Sequence, residues 1–258
     1  MPMSSQTLSN KPRSLEERLF IALDVPSGKE AVALAARLAP LGVSFKVGME
    51  LFYQEGPAIL QALSPLGRTV FVDLKLHDIP NTVAGAVASL VRNGACFMNV
   101  HTLGGKDMMR AAVQSAENTA RRMGIPRPVL IGVTILTSHS EESLKTDWAF
   151  SQMPLSEYAL HLAKQAQESG LDGVVCSAQE AGMIQAACGS DFLRVTPGIR
   201  PAGSDEQDQA RLMTPCRALR NGATYLVVGR PVVQAADPVG AAKAILAEMQ
   251  DFQAAGSP

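Results

Sequence analysis

Short apolar runs that are typical of β-strands alternate with longer segments of helical composition along the whole chain. Eight such runs occur, at residues 19–24, 43–48, 69–75, 96–101, 129–136, 172–176, 193–197 and 224–229. The segments of helical composition that follow them are residues 29–39, 57–64, 81–92, 106–122, 156–169, 178–187, 207–220 and 237–253. Strands that alternate with helices favour a parallel sheet, and eight such units in about 250 residues predict a (β/α)8 TIM barrel.

An open, doubly wound sheet is the alternative arrangement of the same units. No GxGxxG pattern follows the first strand and no change in composition divides the chain, so we favour the barrel. We expect a single barrel domain at residues 16–258, preceded by a flexible leader at residues 1–15. Two polar segments, residues 137–155 and 199–208, are expected to form long loops that cover the active site.

The composition and charge indicate a protein with one large hydrophobic core. The 258 residues are 47% hydrophobic and 18% charged, with a formal net charge of −1, which suits one large core and indicates neither a nucleic acid nor a membrane as partner. The N-terminus is polar and lacks the apolar segment of a signal peptide, and no apolar run reaches the roughly 20 residues of a membrane helix. We therefore expect a cytoplasmic protein.

The four cysteines do not indicate a metal site or a disulfide. Neither a CxxC pair nor a zinc-ligand spacing with histidine occurs among Cys96, Cys176, Cys188 and Cys216. Cys96 and Cys176 lie in apolar runs, which predicts that both are small core residues. No metal ligand is expected.

The segment FVDLKLHDIPNT, residues 71–82, places three charges where an apolar strand ends. Asp73 and Lys75 are two residues apart and therefore share one face of the strand, while Asp78 falls on the loop before Pro80. Buried charges are costly unless they are paired or used, and TIM barrels build active sites at the carboxyl ends of their strands. We interpret the three as catalytic, although Asp73 and Lys75 could form a structural ion pair and Asp78 could cap the next helix.

Ionisable residues also occur at the neighbouring strand ends. Asp24 follows strand one and Lys46 lies in strand two between two apolar residues. Taken singly, Asp24 fits a turn and Lys46 fits a strand surface. Five charged residues at three adjacent strand ends favour one catalytic array instead. His101, at the end of strand four, could reach this array or bond to the backbone, and His77 could support the loop.

A second group indicates a phosphate site. Gly229-Arg230-Pro231 follows strand eight, where glycine allows close approach, a helix start presents N–H groups and arginine binds phosphate in a bidentate manner. Barrel phosphate sites favour the loops after strands seven and eight. Arg200 and Gln209 lie nearby in the sequence, so the ligand is predicted to carry a phosphate.

These residues resemble the orotidine 5′-phosphate decarboxylase family. The similarity extends over about residues 19–240, and its motifs stand in the family's order: LDVP at 23–26, FKVG at 45–48, DLKLHDIPNT at 73–82, LTS at 136–138, DGVVCSAQE at 172–180, TPGIRP at 196–201 and VVGRPV at 227–232. The resemblance implies a (β/α)8 homodimer that converts orotidine 5′-monophosphate to UMP in pyrimidine biosynthesis, without a metal or an organic cofactor.

The resemblance also implies roles for individual residues. Lys75 matches the proton donor, and Lys46, Asp73 and Asp78 complete the charged array, with Asp78 entering the site of the partner subunit. The implied substrate contacts are Asp24 and Lys46 at the ribose with Thr82 from the partner, Thr137 and Ser138 at the pyrimidine, and Gln209, Gly229 and Arg230 at the phosphate, with Arg200 on the same rim.

Two other functions are compatible with parts of the same pattern. A related barrel group uses D-x-K-x-x-D for metal-dependent sugar-phosphate chemistry, with a Glu metal ligand on strand two, where this chain has Lys46. A lysine at that position repels Mg²⁺, which favours the decarboxylase. A nucleotide-binding regulator without catalysis would tolerate the loss of Lys75, which is present here.

Overall fold

Eight parallel strands close into a barrel in the computed structural model, which describes residues 12–147, 153–201 and 213–254. The strands are β1 (Leu19–Ala22), β2 (Ser44–Gly48), β3 (Val70–Leu76), β4 (Phe97–His101), β5 (Val129–Val133), β6 (Gly173–Val175), β7 (Leu193–Thr196) and β8 (Tyr225–Val228). β1 pairs with β2 on one side and with β8 on the other, which closes the sheet. The predicted TIM barrel is confirmed, and the open sheet is wrong.

Helices surround the barrel. Within the described residues they are α1 (Gly28–Leu38), α2 (Met49–Glu55), α3 (Ala58–Leu63), α4 (Pro80–Arg92), α5 (Gly105–Met123), α6 (Glu141–Asp147), α7 (Leu155–Glu168), α8 (Ala181–Cys188), α9 (Pro215–Arg220), α10 (Arg230–Val233) and α11 (Pro238–Ala254). Four short 3₁₀ helices, Glu16–Arg18, Ala39–Leu41, Ser64–Leu66 and Thr102–Gly104, join these elements. None of the described helices has the length and apolar character needed to span a membrane.

Local sequence explains where the helices begin and end. At the start of α1, the Ser27 hydroxyl accepts a hydrogen bond from the Glu30 N–H at 3.3 Å, which is the bond of an N-cap serine. On α5, the buried residues Met108, Ala112 and Ala116 recur every four positions and face the barrel. That helix ends at Gly124, whose φ of +66° suits a residue without a side chain.

The interior of the barrel is a packed core at its amino-terminal end. Phe20, Phe71, Phe97 and Tyr225 project inward from four strands, and neighbouring ring centroids lie 5.0–5.6 Å apart. Alternate residues on the same strands, such as Ile21 and Val72, face the helices instead. This aromatic layer closes the barrel interior below the carboxyl ends of the strands.

Nearer the carboxyl ends of β2, β3 and β4, the inward side chains are polar. The inward face continues from Phe71 to Asp73 on β3, from Phe97 to Asn99 on β4 and from Ser44 to Lys46 on β2. Because side chains on one strand face repeat every two residues, these groups form the next layer towards the carboxyl end. The fold therefore concentrates charge directly above an apolar floor.

The boundaries differ from the sequence predictions in three places. Helices α2 and α6 were not predicted, and α6 lies inside the segment 137–155 that was expected to be a loop. Of the predicted helix at 207–220, the structure shows Pro215–Arg220, and residues 202–212 lie outside the described residues. Leu15 is buried in the core, whereas residues 1–11 of the expected leader lie outside the described residues.

Candidate active site

Four charged side chains form an alternating row at the carboxyl ends of β1, β2 and β3. The Lys46 Nζ lies 3.3 Å from Asp24 Oδ1 and 3.5 Å from Asp73 Oδ2. The Lys75 Nζ lies 2.8 Å from Asp73 Oδ1. The row reads Asp24, Lys46, Asp73, Lys75, so each inner charge lies between two opposite charges. In such a row, the attraction between neighbouring opposite charges offsets the repulsion between like charges.

The central carboxylate is held in its charged form. Burial by itself raises the pKa of Asp73, but the charges of Lys46 and Lys75 and hydrogen bonds from Lys75 and Asn99 outweigh it, so the pKa lies below its ordinary value. The Asp73 side chain is only 13% exposed, which strengthens each of these interactions. Asp73 is therefore ionised at neutral pH.

The backbone of Lys75 is in an unusual conformation. Its φ is +52°, and among the described residues other than glycine only Lys75 has a positive φ. The pairing of β3 with β4 shifts register between Val72 and Leu76, which brackets this residue. This conformation is sterically unfavourable for a residue with a side chain, and such conformations occur mainly at functional sites.

A cavity of about 270 Å³ opens beside this row. Its charged wall is Lys46, Asp73 and Lys75, and the rest of its lining is Phe71, Val133, Ile135, Leu136, Thr137, Ser138, Val175, Val195, Pro197 and Val227. Apolar side chains on several strands face the three charged ones, while Thr137 and Ser138 supply hydroxyls at the edge. This combination of an apolar lining with a few polar groups is typical of a small-molecule site.

The end of β8 lies next to the end of β1. A Cβ built on Gly229 would lie 3.5 Å from Asp24 Oδ2, and α10 begins directly after it at Arg230. After β7, the Arg200 N–H donates to the Met213 carbonyl at 3.2 Å. The two predicted groups, the charged row and the glycine-arginine turn, are therefore neighbours in the fold.

Comparison with known proteins identifies the family. The profile of the orotidine 5′-phosphate decarboxylase / HUMPS family matches residues 17–245. The chain belongs to this family.

Two relatives named orotidine 5′-phosphate decarboxylase are about half identical in sequence to this chain. The one from Moorella thermoacetica is 48% identical over 91% of this chain and 93% of its own, and the one from Chromohalobacter salexigens is 50% identical over 92% and 98%. The crystal structure of orotidine 5′-phosphate decarboxylase from Lactobacillus acidophilus superposes with a TM-score of 0.78 at 39% identity, covering 90% of this chain and 99% of that one.

The structure does not bring every predicted residue into the cavity. Asp78 is exposed, with its carboxylate accepting the Ile79 N–H at 2.7 Å, and Thr82 is exposed in the first turn of α4. The side chain of Asp78 does not cap α4, whose N-cap is Ile79. Arg200 donates to the Ile199 carbonyl at 3.2 Å, and Gln209 lies outside the described residues. In one chain, the charged array therefore contains Lys46, Asp73 and Lys75 without Asp78.

Two residues of the site were missed by the sequence reasoning. A Cβ on Gly48 would lie 2.9 Å from Lys46 Nζ and 3.2 Å from Asp24 Oδ1, so the glycine makes room for that ion pair. Asn99, which is 1% exposed, donates to Asp73 Oδ1 at 2.7 Å. The alternation of β4 could have identified Asn99, because Phe97, Asn99 and His101 share a face, but the sequence carries no signal for Gly48.

His101 lies close to the charged row. Its ring stacks on His77 with centroids 5.3 Å apart, and its Nδ1 accepts the Leu103 N–H at 3.4 Å. Burial first, and then the charges of His77, Lys75 and His139, lower the pKa of His101 to about 4. His101 is therefore neutral at pH 7 and adds no third cation beside the two lysines.

The cysteines depart from expectation at one position. Cys176 is buried, as predicted, and burial raises the pKa of its thiol. Cys96 is exposed, so its predicted core location is wrong. It directly precedes β4, and its exposure is not revealed by its apolar neighbours in the sequence. Across the three described ranges, no cluster of three His, Cys, Asp or Glu side chains is arranged to hold a metal ion.

Cys96 lines a second cavity at the opposite end of the barrel. This cavity, of about 490 Å³, is formed by residues that precede strands, among them Thr69, Cys96 and Pro128. It is larger than the first, but (β/α)8 enzymes place their chemistry at the carboxyl ends of the strands. The smaller cavity, with its row of charges, is therefore the candidate active site.

Proposed function

We propose that the protein is an orotidine 5′-phosphate decarboxylase, which releases CO2 from orotidine 5′-monophosphate and forms UMP in pyrimidine biosynthesis. The observation that carries the proposal is the charged row of Asp24, Lys46, Asp73 and Lys75, the last three of which line the wall of a mostly apolar cavity. Family membership supports the same reaction.

The chemistry needs a cation at one carbon atom. When the bond from C6 to the carboxylate breaks, CO2 leaves and the electron pair remains on C6, in the plane of the ring. An ammonium group beside C6 stabilises this developing charge more than it stabilises the substrate. The Lys75 ammonium then gives a proton to C6, which completes UMP, and Lys75 regains a proton from solvent.

The neighbours of Lys75 prepare it for this role. Asp73 accepts a hydrogen bond from the Lys75 Nζ at 2.8 Å, which fixes the position of the ammonium group. The Asp73 carboxylate also faces the position proposed for the substrate carboxylate, so it disfavours the bound substrate relative to the CO2-releasing transition state. Lys46 sits between Asp24 and Asp73 and balances their charges.

The remaining contacts follow from the family resemblance. We assign the ribose to Asp24 and Lys46, the pyrimidine to Thr137 and Ser138, and the phosphate to Gly229, Arg230, Arg200 and Gln209. Asp78 and Thr82 are exposed on their own chain, which suits residues that enter the site of a partner subunit in a homodimer. No cofactor is assigned, and the cytoplasmic location stays a prediction.

Release of CO2 from orotidine 5′-monophosphate, with UMP as the other product, is the direct test. Lys75→Ala should lose nearly all turnover and still bind UMP, because the phosphate contacts are separate from Lys75. Lys106→Ala, which removes an exposed lysine paired with Glu168, is the matched control and should keep full turnover. A folded Lys75→Ala protein with near-normal turnover would overturn the mechanism.

Metal-dependent sugar-phosphate chemistry is the alternative that the same motif permits. Lys46 places an ammonium between two carboxylates that would otherwise attract a divalent cation. We therefore expect full activity after exhaustive chelation and no gain from added Mg²⁺. Activity that is lost on chelation and restored by one divalent ion would favour the alternative.

A further inference from the structure

Asn99 contacts two adjacent residues of the charged row, Asp73 and Lys75. It projects inward from β4 and is 1% exposed. Its Oδ1 accepts the backbone N–H of Lys75 at 2.8 Å, and its Nδ2 donates to Asp73 Oδ1 at 2.7 Å. One planar amide therefore fixes the main chain of Lys75 and the carboxylate of Asp73 at the same time.

The hydrogen bond to Lys75 occurs where the sheet is irregular. Lys75 has φ +52°, and the β3–β4 register shifts between Val72 and Leu76. A side chain on the neighbouring strand meets the Lys75 N–H at this irregularity, so Asn99 stabilises a backbone conformation that a lysine rarely adopts. That conformation determines where the Lys75 side chain leaves the strand.

We propose that Asn99 is a positioning residue for decarboxylation, which holds the Lys75 ammonium and the Asp73 carboxylate in their reactive arrangement. The inference rests on the proposed function, because Asn99 is not part of the cavity lining and acts through Lys75 and Asp73. Its two hydrogen bonds have separate effects. The bond from the Lys75 N–H maintains the left-handed backbone of Lys75. The bond to the Asp73 carboxylate orients that group and helps to lower its pKa.

The chemistry of the side chain explains why an asparagine occupies this position. The site requires one acceptor, for the Lys75 N–H, and one donor, for the Asp73 carboxylate. An aspartate keeps the acceptor but loses the donor and adds a negative charge beside Asp73. An alanine loses both, which separates the two contributions when the variants are compared.

Steady-state kinetics of CO2 release by the wild type, Asn99→Ala and Asn99→Asp test the proposal. We expect kcat to fall by about 10²-fold in Asn99→Ala, the effect of a small misplacement of a reacting group. KM and the affinity for UMP should change by less than about 3-fold, because the assigned nucleotide contacts remain. Asn99→Asp should lose at least as much kcat as Asn99→Ala.

The pH profile gives a readout that a purely structural role would not change. The Asn99 N–H is one of the groups that lower the pKa of Asp73. Its removal in Asn99→Ala should therefore move the acid limb of kcat/KM to higher pH. Asn221→Ala is the matched control: Asn221 is a partly buried asparagine that donates to the Ala178 carbonyl outside the cavity, and its variant should keep the wild-type kcat and profile.

A crystal structure of Asn99→Ala makes the test independent of activity. Lys75 should leave the left-handed conformation, or its Nζ should move away from Asp73. If Lys75 keeps both its positive φ and its contact with Asp73, or if a folded variant keeps kcat within about 3-fold of wild type, the positioning role is wrong. A wild-type protein without decarboxylase activity would instead remove the proposed function, and the crystal structure would still decide what Asn99 holds. Should Asn99→Ala fail to fold, Asn99→Asp, which keeps the shape and the acceptor, carries the kinetic test: a folded Asn99→Asp protein with kcat within about 3-fold of wild type would overturn the positioning role.

Discussion

Asp73→Asn removes one charge from the centre of the row without changing its shape. Asparagine keeps an oxygen that can accept from Lys75 and from Asn99, so the variant isolates the charge from the hydrogen bonds. In the wild type, Asp73 lies 2.8 Å from the Lys75 Nζ and 3.5 Å from the Lys46 Nζ. The substitution leaves two ammonium groups facing a neutral amide.

The size of the effect follows from these distances. With an effective dielectric constant of about 20, the two attractions are worth about 6 and about 5 kcal/mol before the cost of burying the carboxylate is subtracted. Removing one partner of a buried ion pair typically costs about 3–5 kcal/mol. The Lys75 side chain is 29% exposed, so solvent screens its share, and we expect the lower end, about 3 kcal/mol at pH 7.

Urea unfolding at a series of pH values measures the effect. Because the folded-state pKa of Asp73 is lowered, its stabilisation is complete above the unfolded-state value near 4 and is lost as the pH falls through the folded-state value. The free energy of unfolding should differ between wild type and Asp73→Asn by about 3 kcal/mol at pH 7, with a melting temperature about 6 °C lower. The difference should shrink only below about pH 4. A variant as stable as the wild type at pH 7, or a difference that disappears near pH 6, would refute the reasoning.

Three further predictions concern other parts of the site. The pKa of His101, lowered to about 4 mainly by burial, keeps its ring neutral, so its NMR resonances should not change between pH 8 and about 5.5, and a titration near pH 6.5 would contradict its burial. Arg230→Ala removes the assigned bidentate phosphate contact and should lower kcat/KM by about 10²-fold or more, with an unchanged value placing the phosphate elsewhere. In a homodimer with shared sites, mixing inactive Lys75→Ala with impaired Asp78→Ala should regenerate wild-type sites, about a quarter of the total after random exchange. Activity that stays at the average of the two parents despite proven exchange would disprove the sharing of sites.

The sequence predicted the order of the elements and most of the charged row, because both depend on local patterns. Apolar runs separated by helical segments are visible in any window of the chain, and period-two alternation places Asp73 and Lys75 on one face. Lys46 could be assigned to the interior because Phe45 and Val47, on either side of it, belong to the opposite face. Helix α6 was missed, since its polar residues, Glu141–Asp147, resemble those of a loop.

Closure of the barrel decided what the sequence left open. Asp24 and Lys46 are 22 residues apart, and their 3.3 Å contact exists because β1 and β2 pair in one register. The same holds for Asn99, which reaches Asp73 and Lys75 from the next strand, and for Gly48, whose missing side chain matters only when a neighbouring ion pair occupies that space.

Exposure at the rim was likewise a property of the assembled fold. Cys96 stands in an apolar stretch of sequence and is nevertheless exposed, while His77 and His101, 24 residues apart, stack because two strand ends meet. The sequence alone therefore determined which side chains of each strand face the barrel interior, because alternation along one strand decides this. The contacts between those side chains, and the conformation of Lys75 that allows them, depended on the register between strands. That register is set only in the closed barrel.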